Sequence, residues 1–368
     1  MKKAKHFIVP AFALMLCLSG AAQSVQMQAK SAASKWPDVL KNDAAWFAGD
    51  EAARIADNLL LYQRSSGGWP KNIDMASVLD DAAKAALLKQ KGEVDSTIDN
   101  SATYTQLKFL ARIYDAQHTD RYKQAFLNGV EYLLKAQYAN GGWPQFYPMH
   151  RGYYTHITYN DDAMIGVMEL LRDIAKKKPP YSFVDETLRT RASSAVDRGI
   201  ECILKTQVVV DGKLTVWCAQ HDEVTFKPAA ARAFEPVSLS GQESVGIVRF
   251  LMRIDHPNEQ VITAIESAIA WFEKTSIVGF RWQETPTAGG FDRVLVRDAG
   301  AGPLWARFYE IGTNRPIFSG RDSVIRYDVS QIESERRNGY RWYTDAPEKL
   351  LKVDFPAWQA KLKSRKSI

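Results

Sequence analysis

The octapeptide Gln63–Pro70, QRSSGGWP, returns at Gln137–Pro144 as QYANGGWP, 74 positions later. Each copy follows an apolar helical stretch. Before the second, Phe126, Val130, Leu133 and Gln137 step by 4, 3 and 4 along one helix face. A third helix around Ser193–Gln207 ends in ILKTQ, an echo of the YLLKAQ before the second copy. The stretches between align as well: TIDNSATYTQLKFLARIY from Thr97, ITYNDDAMIGVMELLRDI from Ile157 and SLSGQESVGIVRFLMRI from Ser238. In that frame Asn100 falls on Asp161, Ala102 on Ala163 and Gly246 on Gly166. A helix pair recurring every roughly 60–80 residues buries its apolar face only by stacking on its neighbours. The expected fold is all-α dominated: an α/α toroid, or open α/α barrel, of repeated helical hairpins with long loops and a few short strands. Asp, Asn and Ser open the aligned helices and suit helix N-termini. One end of the ring should then gather Asp99, Asn100, Asn160, Asp161, Asp162, Ser240 and Gln242. After Thr275, Gly, Arg, Tyr and Trp rise, as in GFRWQETPTAGGFDRVLV and NGYRWYTDAP. These segments are expected to pack on the ring rather than form a second domain.

The first 22 residues read as an export signal. Lys2, Lys3 and Lys5 precede the apolar run Ile8–Leu18, and Gly20, Ala21 and Ala22 are the small residues a signal peptidase cleaves after. Cleavage is expected near Ala22, followed by a leader over 23–40 and a single catalytic toroid over 41–368. Leu16 before Cys17 is too bulky for lipoprotein processing. No later apolar run is long enough to span a bilayer, so an exported monomer in periplasm or medium, free of the membrane, is expected. The formal charge of +6 falls to +3 without the three signal lysines. That surplus admits an anionic partner but is too small and dispersed to indicate nucleic acid. Cys202 and Cys218 form no disulfide framework, and the sequence leaves their pairing open.

Lys227–Pro236, KPAAARAFEP, holds one long charged side chain, Arg232, among alanines fenced by Pro228 and Pro236. The prolines restrict the chain. Arg232 is either an ordinary surface ion pair or a site residue on a stiff loop. The spacing QxxxGxW, met by Gln63/Gly67/Trp69 and Gln137/Gly141/Trp143, is also the repeat signature of triterpene cyclases, so a terpene-cyclase-like toroid is one alternative. A non-catalytic binder of acidic polysaccharide, with Trp69, Trp143, Trp217, Trp282 and Trp342 stacking on sugar rings, is another. AQHDE at Ala219–Glu223 lacks the ligand spacing of a zinc site.

GGWPQFYP, TYNDDAM, VWCAQHDEVTFKPAAARAFEP, SLSGQES and RFYEIGTNRPIFSGRD together resemble the bacterial pectate lyases of polysaccharide lyase family 10, over roughly Trp36 to the C-terminus. The resemblance implies an α/α toroid that cleaves polygalacturonate (pectate) by β-elimination with Ca²⁺. It implies Arg232 as the base and Asp99 as an essential acid. Asp161 is implied at the Ca²⁺ site, with Asn160 and Asp162 beside it. Arg321 is implied as a clamp on a substrate carboxylate, with Arg315 nearby. Lys227, Arg293, Tyr340, Arg341 and Trp143 complete the expected substrate-binding set. Such chemistry asks for an arginine whose pKa, above 12 in water, is lowered by neighbouring cations.

Overall fold

The computed structural model describes residues 35–366, which lie within one compact unit, Ser34–Ile368. The expected signal segment and the leader up to residue 34 lie outside the described residues. The packed fold starts earlier than the boundary expected at residue 41. Trp36 sits against Phe109 and donates its backbone N–H to Asp74, and Val39 is fully buried.

Seven helices build the ring: α1 (Asp50–Tyr62), α2 (Tyr104–Gln117), α3 (Asp120–Ala136), α4 (Ala163–Ala175), α5 (Glu186–Thr206), α6 (Glu243–Met252) and α7 (Glu259–Thr275). The helices α2, α4 and α6 pack in succession, and α1, α3, α5 and α7 pack in succession outside them. This explains their composition. Helix α4 buries Ala163–Met168, Leu170–Arg172 and Ile174, because it has neighbours all round, whereas α3 and α5 bury one stripe.

The repeated octapeptide is the joint between the two layers. Gln63 donates to Gly67 O (2.9 Å) and to Ala125 O of α3 (2.8 Å). Gln137 does the same to Gly141 O (3.0 Å) and Ala195 O of α5 (2.8 Å). Gln207 extends the pattern to Thr215 O and Ala264 O. Each tryptophan seals the helix end behind it: Trp69 Nε1 donates to Leu59 O, Trp143 to Leu133 O and Trp217 to Ile203 O. All three, with Trp342, are fully buried. The expected role of Trp143 in sugar binding is therefore corrected: its ring is core, and its N–H is committed to the backbone. The QxxxGxW spacing is a helix-end clamp, which removes the sequence basis of the terpene-cyclase reading.

The inner helices begin five to seven residues later than the aligned segments suggest. Backbone N–H groups of Thr97, Thr158 and Ser240 donate to the carbonyls of Trp69, Trp143 and Trp217 (3.1, 3.1 and 2.7 Å), so these residues belong to the joint. Short tight turns follow, Asp99–Ser101 and Asn160–Asp162. The residues immediately before α2, α4 and α6 make no side-chain capping bond, but at α6 the expected Ser240 serves as the cap: its Oγ accepts from the N–H groups of Gln242 (3.2 Å) and Glu243 (3.0 Å). Beyond α7, the hairpin Phe280–Thr287/Gly290–Arg297 and the strand pair 305–306/343–344 tie the last quarter of the chain together, and the strand pair 239–240/308–309 fastens it onto the ring. Cys202 and Cys218 are both free and buried.

Candidate active site

Six of the twelve non-glycine residues with positive φ among the described residues lie at one end of the ring: Asn72, Asn100, Ser101, Thr103, Asp161 and Asp162. Left-handed backbone costs energy for such residues, most for a β-branched one like Thr103, and it concentrates where function requires it. Asn100 (φ 48°) and Asp161 (φ 51°) are equivalent in the two repeats, and their turns pack side by side.

Asp99 is buried. One carboxylate oxygen is ion-paired to Lys71 and accepts from Gln145 Nε2 at 2.5 Å; the other, Oδ1, is buried with no partner. Asp161 is half-buried: Oδ2 accepts from Asn160 (2.8 Å) and Oδ1 from Arg307 Nη2 (3.1 Å). Asn160 turns its own carbonyl oxygen to Arg307 (3.0 Å). Asp162 is exposed as a residue, but its Oδ1 is packed against α6, 2.1 Å from where a Cβ at Gly246 would sit. Desolvation of that carboxyl by the surrounding protein, then Glu243, Glu169 and Asp161, pushes it up to about 7.

Arg307 links this acidic patch to the next group. It is 3 % exposed, is ion-paired with the equally buried Glu243, and lies 4.5 Å from the Tyr340 ring centroid. Burial opposes its charge, but Glu243, Tyr340 and Asp161 outweigh that and hold it above the ordinary arginine range. Tyr340 Oη donates to Glu235 (2.8 Å), and Glu235 grips Arg232 through Nε (2.9 Å) and Nη2 (2.5 Å). A continuous chain of contacts thus runs Asp161–Arg307–Tyr340–Glu235–Arg232.

The Arg232 loop is stiff for reasons beyond its prolines. Phe234 and Glu235 are buried anchors, and across a tight turn Ala231 N–H donates to Glu235 O (3.0 Å) while Glu235 N–H donates to Arg232 O (2.7 Å). Upstream, neutral His221 braces the loop: Nε2 accepts from Cys218 N–H and Nδ1 donates to Phe226 O, and burial pushes its pKa down to about 4. The expected lowering of the Arg232 pKa is corrected. Its hydrogen bonds to Glu235 raise it well above the ordinary value, against a smaller opposing effect of burial.

Other expected residues divide. The segment carrying Arg321 adjoins the Arg232 loop, since Ser319 Oγ donates to Ala233 O (3.3 Å); Arg321 itself is exposed and paired with Glu335 (3.0 Å). Lys227 is exposed on the Arg232 loop, and Arg341 is exposed beside Tyr340. Arg315 stacks on Tyr327 at 3.6 Å. Arg293 ties the long hairpin down through Glu284 (2.8 Å) and the Asn338 carbonyl (3.2 Å). Glu235, Glu243, Arg307 and Arg336, whose guanidinium lies 4.6 Å from the Phe234 ring centroid, are absent from the sequence-derived set.

One group among the described residues could hold a metal by proximity: ligand atoms of His156, Asp222 and Glu223 lie within 4.8 Å of one another. The fold brings His156 to the two acids by pairing Ile157–Thr158 with Gln220–His221, which a reading of AQHDE alone misses.

The strained acidic turns and the linked arginines thus lie together at one end of a toroid of helical hairpins. The sequence profile of the pectic acid lyase family matches residues 63–351, and the chain belongs to that family. Its structure is similar to a family 10 polysaccharide lyase from Cellvibrio cellulosa, with TM-score 0.74 and 37 % identity over 84 % of this chain and 94 % of that one. A mutant of a family 10 polysaccharide lyase from the same organism, solved in complex with trigalacturonic acid, gives TM-score 0.74 and 37 % identity over 85 % and 96 %. No curated protein matches the sequence. The chain is a polysaccharide lyase with the toroid fold.

Proposed function

We propose that the chain is an exported pectate lyase that cleaves α-1,4-polygalacturonate by β-elimination, with Arg232 as the base, and releases 4,5-unsaturated oligogalacturonates. The observation that carries this reading is the chain of contacts from Asp161 to Arg232, which links a loop-held guanidinium to a strained acidic turn through Arg307, Tyr340 and Glu235. The complex of the similar lyase with trigalacturonic acid supports the substrate class. The proton removed lies on C5, α to the C6 carboxylate, and the bond broken is C4–O4. An ionised carboxylate acidifies C5 poorly, because a second negative charge develops on it. Arginines beside it counter that charge, and Arg321 and Arg307 are the candidates from this chain.

Calcium suits the donors at the acidic turns. They offer only oxygen, which hard cations prefer at six to eight ligands. Asp99 keeps a buried oxygen unpartnered, and Asp162 is crowded by like charges that a divalent cation would relieve. Asp161 and Asp162, with Asn160, Asp99 and substrate carboxylates, are the residues that would hold it. Bound there, calcium supplies neutralising charge to the C6 carboxylate. Arg232 takes the proton in the minor fraction of molecules where it is neutral. That fraction rises up to tenfold per pH unit, so activity climbs into the alkaline range.

With polygalacturonate, the enzyme is expected to produce ultraviolet absorbance from the unsaturated uronate, lost in excess chelator and restored by Ca²⁺. Reducing ends without that absorbance would replace elimination by hydrolysis. Undiminished activity in chelator would take calcium out of the reaction. Export rests on residues 1–22; among the described residues, no helix is long and apolar enough to cross a membrane.

A further inference from the structure

Two arginine–glutamate pairs near the site differ in the structure. Arg321 and Glu335 are both exposed, at 63 % and 58 % of their side chains. A pair of that kind is screened and holds its geometry weakly. In the pair Arg232–Glu235 the arginine side chain is 45 % exposed and the glutamate 6 %. Glu235 is immobilised from three directions. Its Oε1 accepts from Tyr340 Oη (2.8 Å), its Oε2 accepts from the Arg232 backbone N–H (3.1 Å), and its own backbone N–H donates to Arg232 O (2.7 Å). Burial works to raise its pKa, but Arg232 and Tyr340 hold it below the ordinary value, so it stays charged. Phe234, between the two, lies 4.8 Å from the guanidinium and is itself buried against Tyr340. The guanidinium therefore has one edge, Nε and Nη2, locked to a buried carboxylate. Nη1 has no hydrogen-bond partner among the described residues.

We propose that Glu235 is a positioning residue: it fixes the rotation of the Arg232 guanidinium so that the Nη1 end alone is left to meet substrate. This rests on the reading of Arg232 as the base, and it adds a cost to that reading. The carboxylate that orients the guanidinium also makes it harder to deprotonate. Orientation and basicity are set against each other by one side chain. Under this assignment a bidentate partner is worth keeping only if misalignment costs more rate than the higher pKa does; a shift of about an ångström at a reacting group can cost on the order of a hundredfold.

The test uses Glu235→Gln in the full chain, which keeps size and the acceptor for Tyr340. Expected is a kcat at least tenfold lower at pH 9 with KM for trigalacturonate within threefold of wild type. The arginine Nε–H resonance missing from Arg232→Lys should be protected from exchange in wild type and broadened in Glu235→Gln. A kcat within threefold of wild type, or a KM that rises in step with the loss, overturns the positioning role. If Glu235→Gln fails to fold, Tyr340→Phe removes the second partner of the carboxylate; the Nε–H resonance should then broaden, and an unchanged one overturns the proposal. Failure of the underlying reading is seen separately. Arg232→Lys with near-normal kcat would remove Arg232 as base, whereas an inactive Arg232→Lys beside a fully active Glu235→Gln would remove only the positioning role.

Discussion

At the scale of single residues, the least comfortable group is Asp162. Its carboxyl has an ordinary value of 3.8 and is pushed up to about 7 by desolvation and by Glu243, Glu169 and Asp161. The ionised form is thus costly in the folded state. That cost is absent below pH 4, grows between pH 4 and 7, and is complete above 7. In chelator, Asp162→Asn should raise the unfolding midpoint at pH 8 and leave it unchanged at pH 4. The gain should be modest, because solvent reaches the group and screens it. Equal midpoints at both pH values would show that the neighbouring acids do not act on it. Legibility in the sequence followed locality. Arg232 and Asp161 stood in long motifs. Glu235 was printed three residues after Arg232, yet its burial, which makes it more than a surface partner, comes from Phe234 and Tyr340. Arg307 opens the motif RFYEIGTNRPIFSGRD, but its role could not be read there: its partners Glu243, Asn160 and Asp161 lie 64, 147 and 146 residues away.

At the scale of elements, the repeat was legible because the same joint recurs at Gln63, Gln137 and Gln207. Its helical periodicity overran the true helix starts, since Thr97, Thr158 and Ser240 are polar residues whose backbones had already been claimed by the tryptophan carbonyls. The glycines of the joint are the most demanding positions. Gly141 has φ +92° and would place a Cβ 2.0 Å from Arg198 O of α5; Gly67 repeats this against Asn128 O of α3 at 2.4 Å. Backbone cannot yield there as the tip of a side chain can. Gly141→Ala combines an unfavourable φ with a clash, and should destabilise by at least about 2 kcal/mol. The check is a urea midpoint at unchanged slope. A loss under 0.5 kcal/mol would mean that the joint has a second conformation open to it.

At the scale of the whole molecule, the acidic end belongs to no single hairpin. Asp99 comes from the turn before α2, Asp161 from the turn before α4, Glu243 from α6, and Arg307 from the segment beyond α7 that covers them. Each strained turn is held in place by the stacking of the ring, so the site and the closure of the toroid stabilise one another. A cation held between the turns should then stabilise folding globally, apart from any effect on catalysis. Mass action sets the size: ligand at about a hundred times its Kd contributes about 2.7 kcal/mol when only the folded state binds it. Adding Ca²⁺ to chelated protein, without substrate, should therefore raise the thermal midpoint in a saturable way, and Mg²⁺, which needs smaller octahedral geometry, should do less. Asp161→Ala should abolish the calcium-dependent rise. His156→Ala, which disrupts the other group able to hold a metal, distinguishes the two locations: if the rise survives Asp161→Ala and disappears in His156→Ala, calcium binds beside Asp222 and Glu223, and the acidic turns must be read as substrate contacts in their own right.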